Sequence, residues 1–441
     1  MILADTAAAL WEDGMEVSAK AAGKNSLDER LGRLLASDPA AMADPFPLWN
    51  RLRSEAPVYY FGDAYLFSRN QSVKRLIDDP RGGHNAKLRG KRAEAARARL
   101  SADQKIAFDE ISAFEAMYMS RTDGAVHDRL RRIAQRTFTP GRIAQIREAI
   151  QVSADRLLDD LGREPVVDMM RFAYRLPLLI IGDMLGIPDR DLDMVHGWSS
   201  KLGRNRGGTE PAALMEAHQA MGEFRAYVEK MIVDLRARPR KADDISLVGD
   251  LLDANQGEIL SEVELTAMIV VLLFAGHETT TNLIGSGLLA LLQNDQWDRF
   301  CADPTLAPKA IEEVLRFVSP VQWVGRSVNE NMEIDGQTLV EGDTILLIVA
   351  AANRDPGAFT NPDVLDIGRA AARNHLAFGM GSHFCLGSPL ARMEGATAFT
   401  TLARRFPNLR LASDGATRWQ GNAMLRGLAE LPIELNPGKE V

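Results

Sequence analysis

The chain has 441 residues and a formal net charge of −8, from 52 Lys and Arg against 60 Asp and Glu. Hydrophobic residues make up 46% and charged residues 25%, which excludes a low-complexity chain and allows a substantial core. The acidic balance, with no basic tail or finger motif, excludes nucleic acid as a general partner, and two cysteines, Cys301 and Cys385, exclude a disulfide framework and fit a reducing cytoplasm.

Residues 1–25 read as a loosely ordered arm ahead of a single domain over 26–441. Asp5, Glu12, Asp13 and Glu16 make the start neither a signal peptide nor a membrane span. The longest apolar run, Ala267 to Gly276, is about half of what a bilayer needs, so no membrane anchor is expected and a soluble, cytoplasmic chain is.

From Pro45 a short helix, Pro47 to Ser54, precedes a hairpin signal. Val58 to Phe61 and Ala64 to Phe67 are β-favouring runs around the turn Gly62-Asp63. A helix follows over Gln71 to Asp78. Residues 82–123 carry the basic run Lys87 to Arg99 and the amphipathic stretch Ala102 to Met119, and their conformation is open. His127 then opens a helix toward Thr137. His127 and Arg131 share one face, four residues apart, while Arg129, Arg132 and Arg136 fall on another.

Residues 141 to 255 read as successive helices, clearest over Arg175 to Gly186, Glu210 to Arg236 and Ile245 to Ala254. Gly203 to Glu210 reads as a flexible connector over a pocket. Ser261 and Glu264 then form a capping-box pattern at the start of the longest helix, roughly 45 Å for about 30 residues. Met268, Leu272, Ala275 and Thr279 line one stripe of it. A glycine, an acid and hydroxyls at 276–280 are costly inside an apolar helix, and catalysis is the expected offset. Cys301 reads as a packed helix residue.

Glu313 and Glu312 lie three and four residues before Arg316 on the helix Lys309 to Val318, so spacing leaves the partner of Arg316 open. Val321 to Arg326 reads as extended, and Gly336 to Val349 alternates as hairpin strands. Phe378 to Gly387 reads Phe-Gly-Met-Gly-Ser-His-Phe-Cys-Leu-Gly. A helix follows to Phe406, with Pro389 in its first turn and Arg404-Arg405 in its last. Cys385 faces that helix entry, where the dipole and backbone N–H groups favour thiolate. A small buried hydrophobe is the alternative for an isolated cysteine. Asn422 to Leu435 reads as a final strand pair with Met424-Leu425 at its tip.

The string 378–387 resembles the haem-binding loop of the cytochrome P450 family, Phe-x-x-Gly-x-(His or Arg)-x-Cys-x-Gly. Ala275 to Thr280 matches that family's (Ala or Gly)-Gly-x-(Asp or Glu)-Thr, Glu313 to Arg316 its Glu-x-x-Arg, and Asn353 to Pro356 a further turn-rich hallmark. All occur in the family's order. The resemblance implies a mainly α cytochrome P450 fold with a small β-rich region and a long central helix over haem. Cys385 would be the axial ligand of the iron of haem b (iron protoporphyrin IX). Ala275, Phe378, Gly379 and Gly387 would border the cofactor, and His127, Arg131, Arg326 and His383 would meet its propionates. Glu278 and Thr279 would deliver protons for O₂ activation, and Glu313 with Arg316 would lock the core beneath.

The implied reaction is monooxygenation of a small-to-medium apolar substrate. Its pocket would be lined by Met268, Leu272, Val321, Trp323, Met424 and Leu425. A separate ferredoxin or flavodoxin with its reductase would supply electrons, so NAD(P)H acts only indirectly. Arg129, Arg132 and Arg136 would offer that partner a cationic patch. A thiolate-haem gas sensor without turnover is the alternative, but it gives Glu278 and Thr279 no task. A zinc site from His375, His383 and Cys385 is a second alternative, which lacks a fourth ligand.

Overall fold

The computed structural model describes residues 26–85, 90–137, 140–204, 211–237, 247–254, 260–412 and 417–436. The arm expected over 1–25 lies outside the described residues. So does the connector expected at 203–210 apart from Gly203 and Arg204, which close the helix Leu192–Arg204. The architecture is mainly α with small sheets, as the sequence predicts.

Helices Leu27–Leu35, Pro39–Ala43 and Phe46–Glu55 enter first, the first two capped by the side chains of Ser26 and Asp38. The hairpin forms as expected, Val58–Phe61 against Ala64–Phe67, with both turn residues at positive φ (Gly62 55°, Asp63 59°). That geometry follows the right-handed twist of the strands it joins. A five-stranded sheet grows from it, ordered Val58–Phe61, Ala64–Phe67, Thr344–Leu347, Val324–Val328 and Gly82–Gly83. Strand Ala64–Phe67 pairs parallel to Thr344–Leu347, so the first and last thirds of the chain share one sheet.

The stretch 336–349 departs from a single hairpin. Its tight turn is Asp335-Gly336, joining Met332–Ile334 to Gln337–Leu339, whereas Thr344–Leu347 leaves for the larger sheet. Within the expected run of helices 141–255, Val166–Asp168 is a strand paired with Pro432–Glu434. Its three residues are too few to show a period of two beside longer helical patterns.

The central helix spans Glu262–Gln293, and Ser261 and Glu264 close the capping box that the sequence predicts. It is the hub of the α-helical layer. Helices Met170–Leu185, Pro211–Arg236, Ala307–Val318 and Ser388–Arg405 pack on it. By length and composition it could cross a membrane, but 67% of its most apolar window is buried within the protein. Its glycines serve close approach. A Cβ at Gly276 would lie 3.2 Å from Ile181 Cδ1, and one at Gly287 only 2.7 Å from Val314 Cγ1 and 2.8 Å from Phe399 Cζ. Close packing against Met170–Leu185 therefore also favours glycine at 276.

Beneath this layer the structure resolves the choice at Arg316. Its guanidinium makes two parallel bonds to Glu313, each 2.8 Å, with both side chains 0% exposed. Arg369 adds bonds of 3.0 Å to both Glu313 oxygens. The remaining Arg316 donors reach the carbonyls of Asn353, Pro362 and Val364. Breaking a buried pair strands a charge, at about 3–5 kcal/mol. Arg316→Ala should therefore lower the denaturant midpoint by a stability loss of that size. A loss below about 1 kcal/mol, the typical scale for a point substitution, would contradict it.

Candidate active site

The loop at 376–388 is held by its own backbone before any side chain contributes. Gly379 and Gly381 take φ of 69° and 64°, and the Cys385 N–H donates to the Phe378 carbonyl at 2.9 Å. A Cβ at Gly381 would collide with the Asp78 carboxylate, which accepts from the Ser382 N–H at 3.2 Å. Left-handed backbone and this close approach together require glycine. The helix Ser388–Arg405 leaves the loop with Pro389 in its first turn.

The backbone N–H groups of Gly387 and Ser388 lie near enough to the Cys385 sulfur to favour its anion, although the Ser388 N–H donates to the Cys385 carbonyl at 3.3 Å. The charges of Arg131 and Arg392 act in the same direction. All four favour thiolate, as the sequence predicts. Desolvation of the free thiol opposes them and raises it, although the cysteine itself is exposed at the surface of the loop. Loss of the proton is then coupled to metal binding, which requires the anionic sulfur.

On the central helix the neighbours of the Ala275–Thr279 segment are mostly buried, yet Ala275 is exposed and Leu272 and Thr279 are half-buried. The Thr279 hydroxyl donates to the Ala275 carbonyl at 2.8 Å, one turn back. Glu278 is rotated away and faces the end of helix Leu192–Arg204, where a Cβ at Gly203 would lie 3.4 Å from its Oε1. Thr280 and Thr281 are buried on the far side.

The four residues expected to meet propionates separate into two groups. His127 and His383 stack with ring centroids 3.8 Å apart, and Arg326 lies near enough for its charge to depress His383. Arg131, whose charge still reaches His127, donates to the Phe384 carbonyl at 2.7 Å. Burial depresses both His127 and His383 and lowers Arg326 to about 10.

Two residues here were missed by sequence reasoning. His84 stacks on His383 at 3.4 Å, and its Nδ1 lies 2.6 Å from Asp123 Oδ1. Burial alone would raise the Asp123 carboxyl, but bonds from His383 and His84 hold it well below the usual range. Asp123 sits one turn before His127, which a one-face reading of that helix start could have caught. Among the described residues, His84, Asp123 and His383 are the one group close enough to share a metal ion, and Cys385 is not among them. The zinc alternative is not built. Both ring nitrogens of His375 are engaged, Nε2 with Glu312 at 3.1 Å and Nδ1 with the Ala377 N–H at 3.1 Å.

The expected lining residues also divide. Val321 pairs with Leu425, and the Gln322 N–H donates to the Met424 carbonyl at 2.8 Å, so those loops meet. Trp323 packs edge-on to Trp49 at 6.2 Å. Met268 is 1% exposed within the helical core, because other helices cover that end of the stripe. Of the expected cationic patch, Arg132 is exposed, but Arg129 is tied to Glu264 of the capping box. The Arg136 side chain lies outside the described residues.

The residues present fit a haem. Arg326 Nε and His84 Nε2 are buried without a partner, beside a cluster that would receive carboxylates. The apolar stripe suits a macrocycle face, and a lone sulfur with N–H support suits soft-metal ligation.

The family model for cytochrome P450 matches residues 211–301 and 302–416. The chain is 35% identical to the polyketide biosynthesis cytochrome P450 PksS of Bacillus subtilis, over 89% of this chain and 96% of that one. It is also 35% identical to the cytochrome P450 monooxygenase PikC of Streptomyces venezuelae, over 90% and 92%. A crystal structure of P450BioI in complex with a hexadecenoic acid-ligated acyl carrier protein superposes with a TM-score of 0.82. It is 30% identical and covers 91% of this chain and 100% of that one. The chain therefore belongs to the cytochrome P450 family. It is a P450 monooxygenase, an oxidoreductase that uses haem and O₂.

One buried acid near this site has a measurable signature. Glu394, on the helix after Cys385, is 1% exposed, and its Oε2 has no partner. Burial pushes its carboxyl from 4.5 up to about 8. The folded state thus binds a proton that the unfolded state releases. This stability is full below about 4.5 and is lost as pH rises toward about 8. Glu394→Gln should flatten that decline, gaining on the order of a few kcal/mol over the parent protein at pH 8. Parallel slopes of stability against pH in the two proteins would contradict the assignment.

Proposed function

We propose that the chain inserts one oxygen atom of O₂ into a C–H bond, or across an alkene, of a small-to-medium apolar molecule. The Cys385 loop carries this reading, folded back by the Cys385 N–H on the Phe378 carbonyl and turned by two left-handed glycines. Nearby N–H groups and two guanidinium charges favour the sulfur's anion. Haem b, iron protoporphyrin IX, supplies the oxygen-activating chemistry when bound. Cys385 would hold its iron, while Ala275, Phe378, Gly379 and Gly387 border it. His127, Arg326 and His383 would hold its propionates, and Arg131 would join them by exchanging the Phe384 carbonyl for a carboxylate. Charge-assisted bonds of that kind are about twice as strong as neutral ones.

Glu278, facing the end of helix Leu192–Arg204, takes protons from the solvent side. Thr279 Oγ1 passes them toward the site after releasing the Ala275 carbonyl. Leu272, Val321, Met424 and Leu425 would form the apolar wall, with Trp323 behind them and Met268 contributing only through the core. A relative named for polyketide biosynthesis supports a multi-carbon apolar skeleton as substrate. Electrons would come from NAD(P)H through a separate ferredoxin or flavodoxin and its reductase, in the cytoplasm.

Cys385→Ser should abolish the red-shifted absorption of the ferrous carbon monoxide complex that marks thiolate ligation. Survival of that band would remove Cys385 from the iron. Thr279→Ala should still consume reducing equivalents but release more hydrogen peroxide and less hydroxylated product, whereas Glu278→Gln should slow the whole cycle. Product formed per electron consumed is the measurement, with a substrate found by its spin-state shift. Unchanged coupling in the threonine variant, with an unslowed cycle in the glutamine variant, would refute the relay.

A further inference from the structure

The haem–thiolate reading leaves one built feature without a task. Glu312 is 2% exposed, one residue before the Glu313 that pairs with Arg316. It accepts from Arg392 Nε at 2.6 Å and Nη2 at 3.2 Å, and from His375 at 3.1 Å. Burial would raise its carboxyl, but the bonds from His375 and Arg392 hold it down at about 2. The Arg392 guanidinium is thereby fixed against a permanent anion. Its other contact is the Phe378 ring, whose centroid lies 4.5 Å away.

Phe378 belongs to the sulfur's own loop. Its carbonyl accepts the Cys385 N–H, and its ring meets Phe384 edge-on at 6.3 Å. Arg392 thus touches the loop through a cation–π contact and acts on the Cys385 sulfur through its charge. The other guanidinium acting on that sulfur, Arg131, is free to turn to a propionate. Arg392 is not, because a bidentate bond to a buried carboxylate fixes the fork.

We infer that Arg392, locked by Glu312 and laid on Phe378, is a positioning residue that sets how strongly the Cys385 sulfur donates to the iron. A fixed cation beside the ligand stabilises the anionic sulfur, withdraws electron density from the metal and makes its reduction easier. Hydrogen bonding and charge around the ligating sulfur are established means of tuning such centres. The inference rests on the haem–thiolate reading. Its readout is the midpoint potential of the haem-loaded protein, which needs neither turnover nor a redox partner.

Arg392→Met should make reduction of the iron about tenfold less favourable, ~59 mV for one electron. Arg392→Lys, which keeps a cation beside Glu312, should restore most of that shift. If the methionine variant does not fold, Arg392→Gln keeps a donor to Glu312, loses the charge and should shift the potential in the same direction. An unshifted potential in the neutral variants overturns the inference. So does a lysine variant that falls as far as the neutral ones, since charge is then not the agent. Both outcomes count against it only if the parent protein shows the thiolate-type carbon monoxide band. Absence of that band in the parent refutes the haem–thiolate reading, and the inference falls with it.

Discussion

A carboxylate with no access to water must be given partners, and Glu313 is given two guanidiniums. Arg316 and Arg369 close around it, and their spare donors go to carbonyls between Asn353 and Val364. The network continues upward. Asn353 donates to the Ser319 hydroxyl at 2.9 Å and accepts the Leu376 N–H at 2.7 Å, two residues before Phe378. The sulfur loop is thus tethered at its start to a set of charges that cannot relax toward solvent. Taking such charges out of water gains little net stability, and what they contribute is a single geometry.

Glu312 and Glu313 are adjacent on one helix and divide the proximal side between them. Rotated by about 100° from each other, they face different neighbours. Glu313 organises the loop that enters from Asn353, and Glu312 holds His375 and Arg392 on either side of Cys385 in the sequence. Neither can take the other's place. The entry to the loop and the helix leaving it are therefore fixed from one turn of one helix.

Local features were legible in the sequence because their causes are local. The capping box at Ser261, the Gly62-Asp63 turn and the proline-started helix after Cys385 each follow from a few adjacent residues. The site strings were legible as a family resemblance because each is carried by a few adjacent residues. Pairings across hundreds of residues were not. Nothing near His84 announces Asp123, and nothing near Val166 announces Pro432. At Cys385 the N–H groups that favour thiolate are local and readable, whereas the desolvation that opposes them belongs to the whole fold. The close approach of Ile181 to Gly276 comes from another helix and was likewise not readable.

The joining of early and late strands has a consequence for how the chain is made. The Asp168 carboxylate accepts the Leu431 N–H across 263 residues, and the Met42 carbonyl accepts from Arg426 across 384. At about 5–20 residues per second, the ribosome holds Met42 waiting roughly 20–80 s for that partner. For most of that time the part of Phe46–Glu55 that meets Phe317, Gln322 and Trp323, and the hairpin edge that pairs with Thr344–Leu347, lack their partners on a nascent chain. Expression at a lower translation rate lengthens the wait, so the yield of folded protein should depend on the chaperones that cover these faces until the last strands emerge.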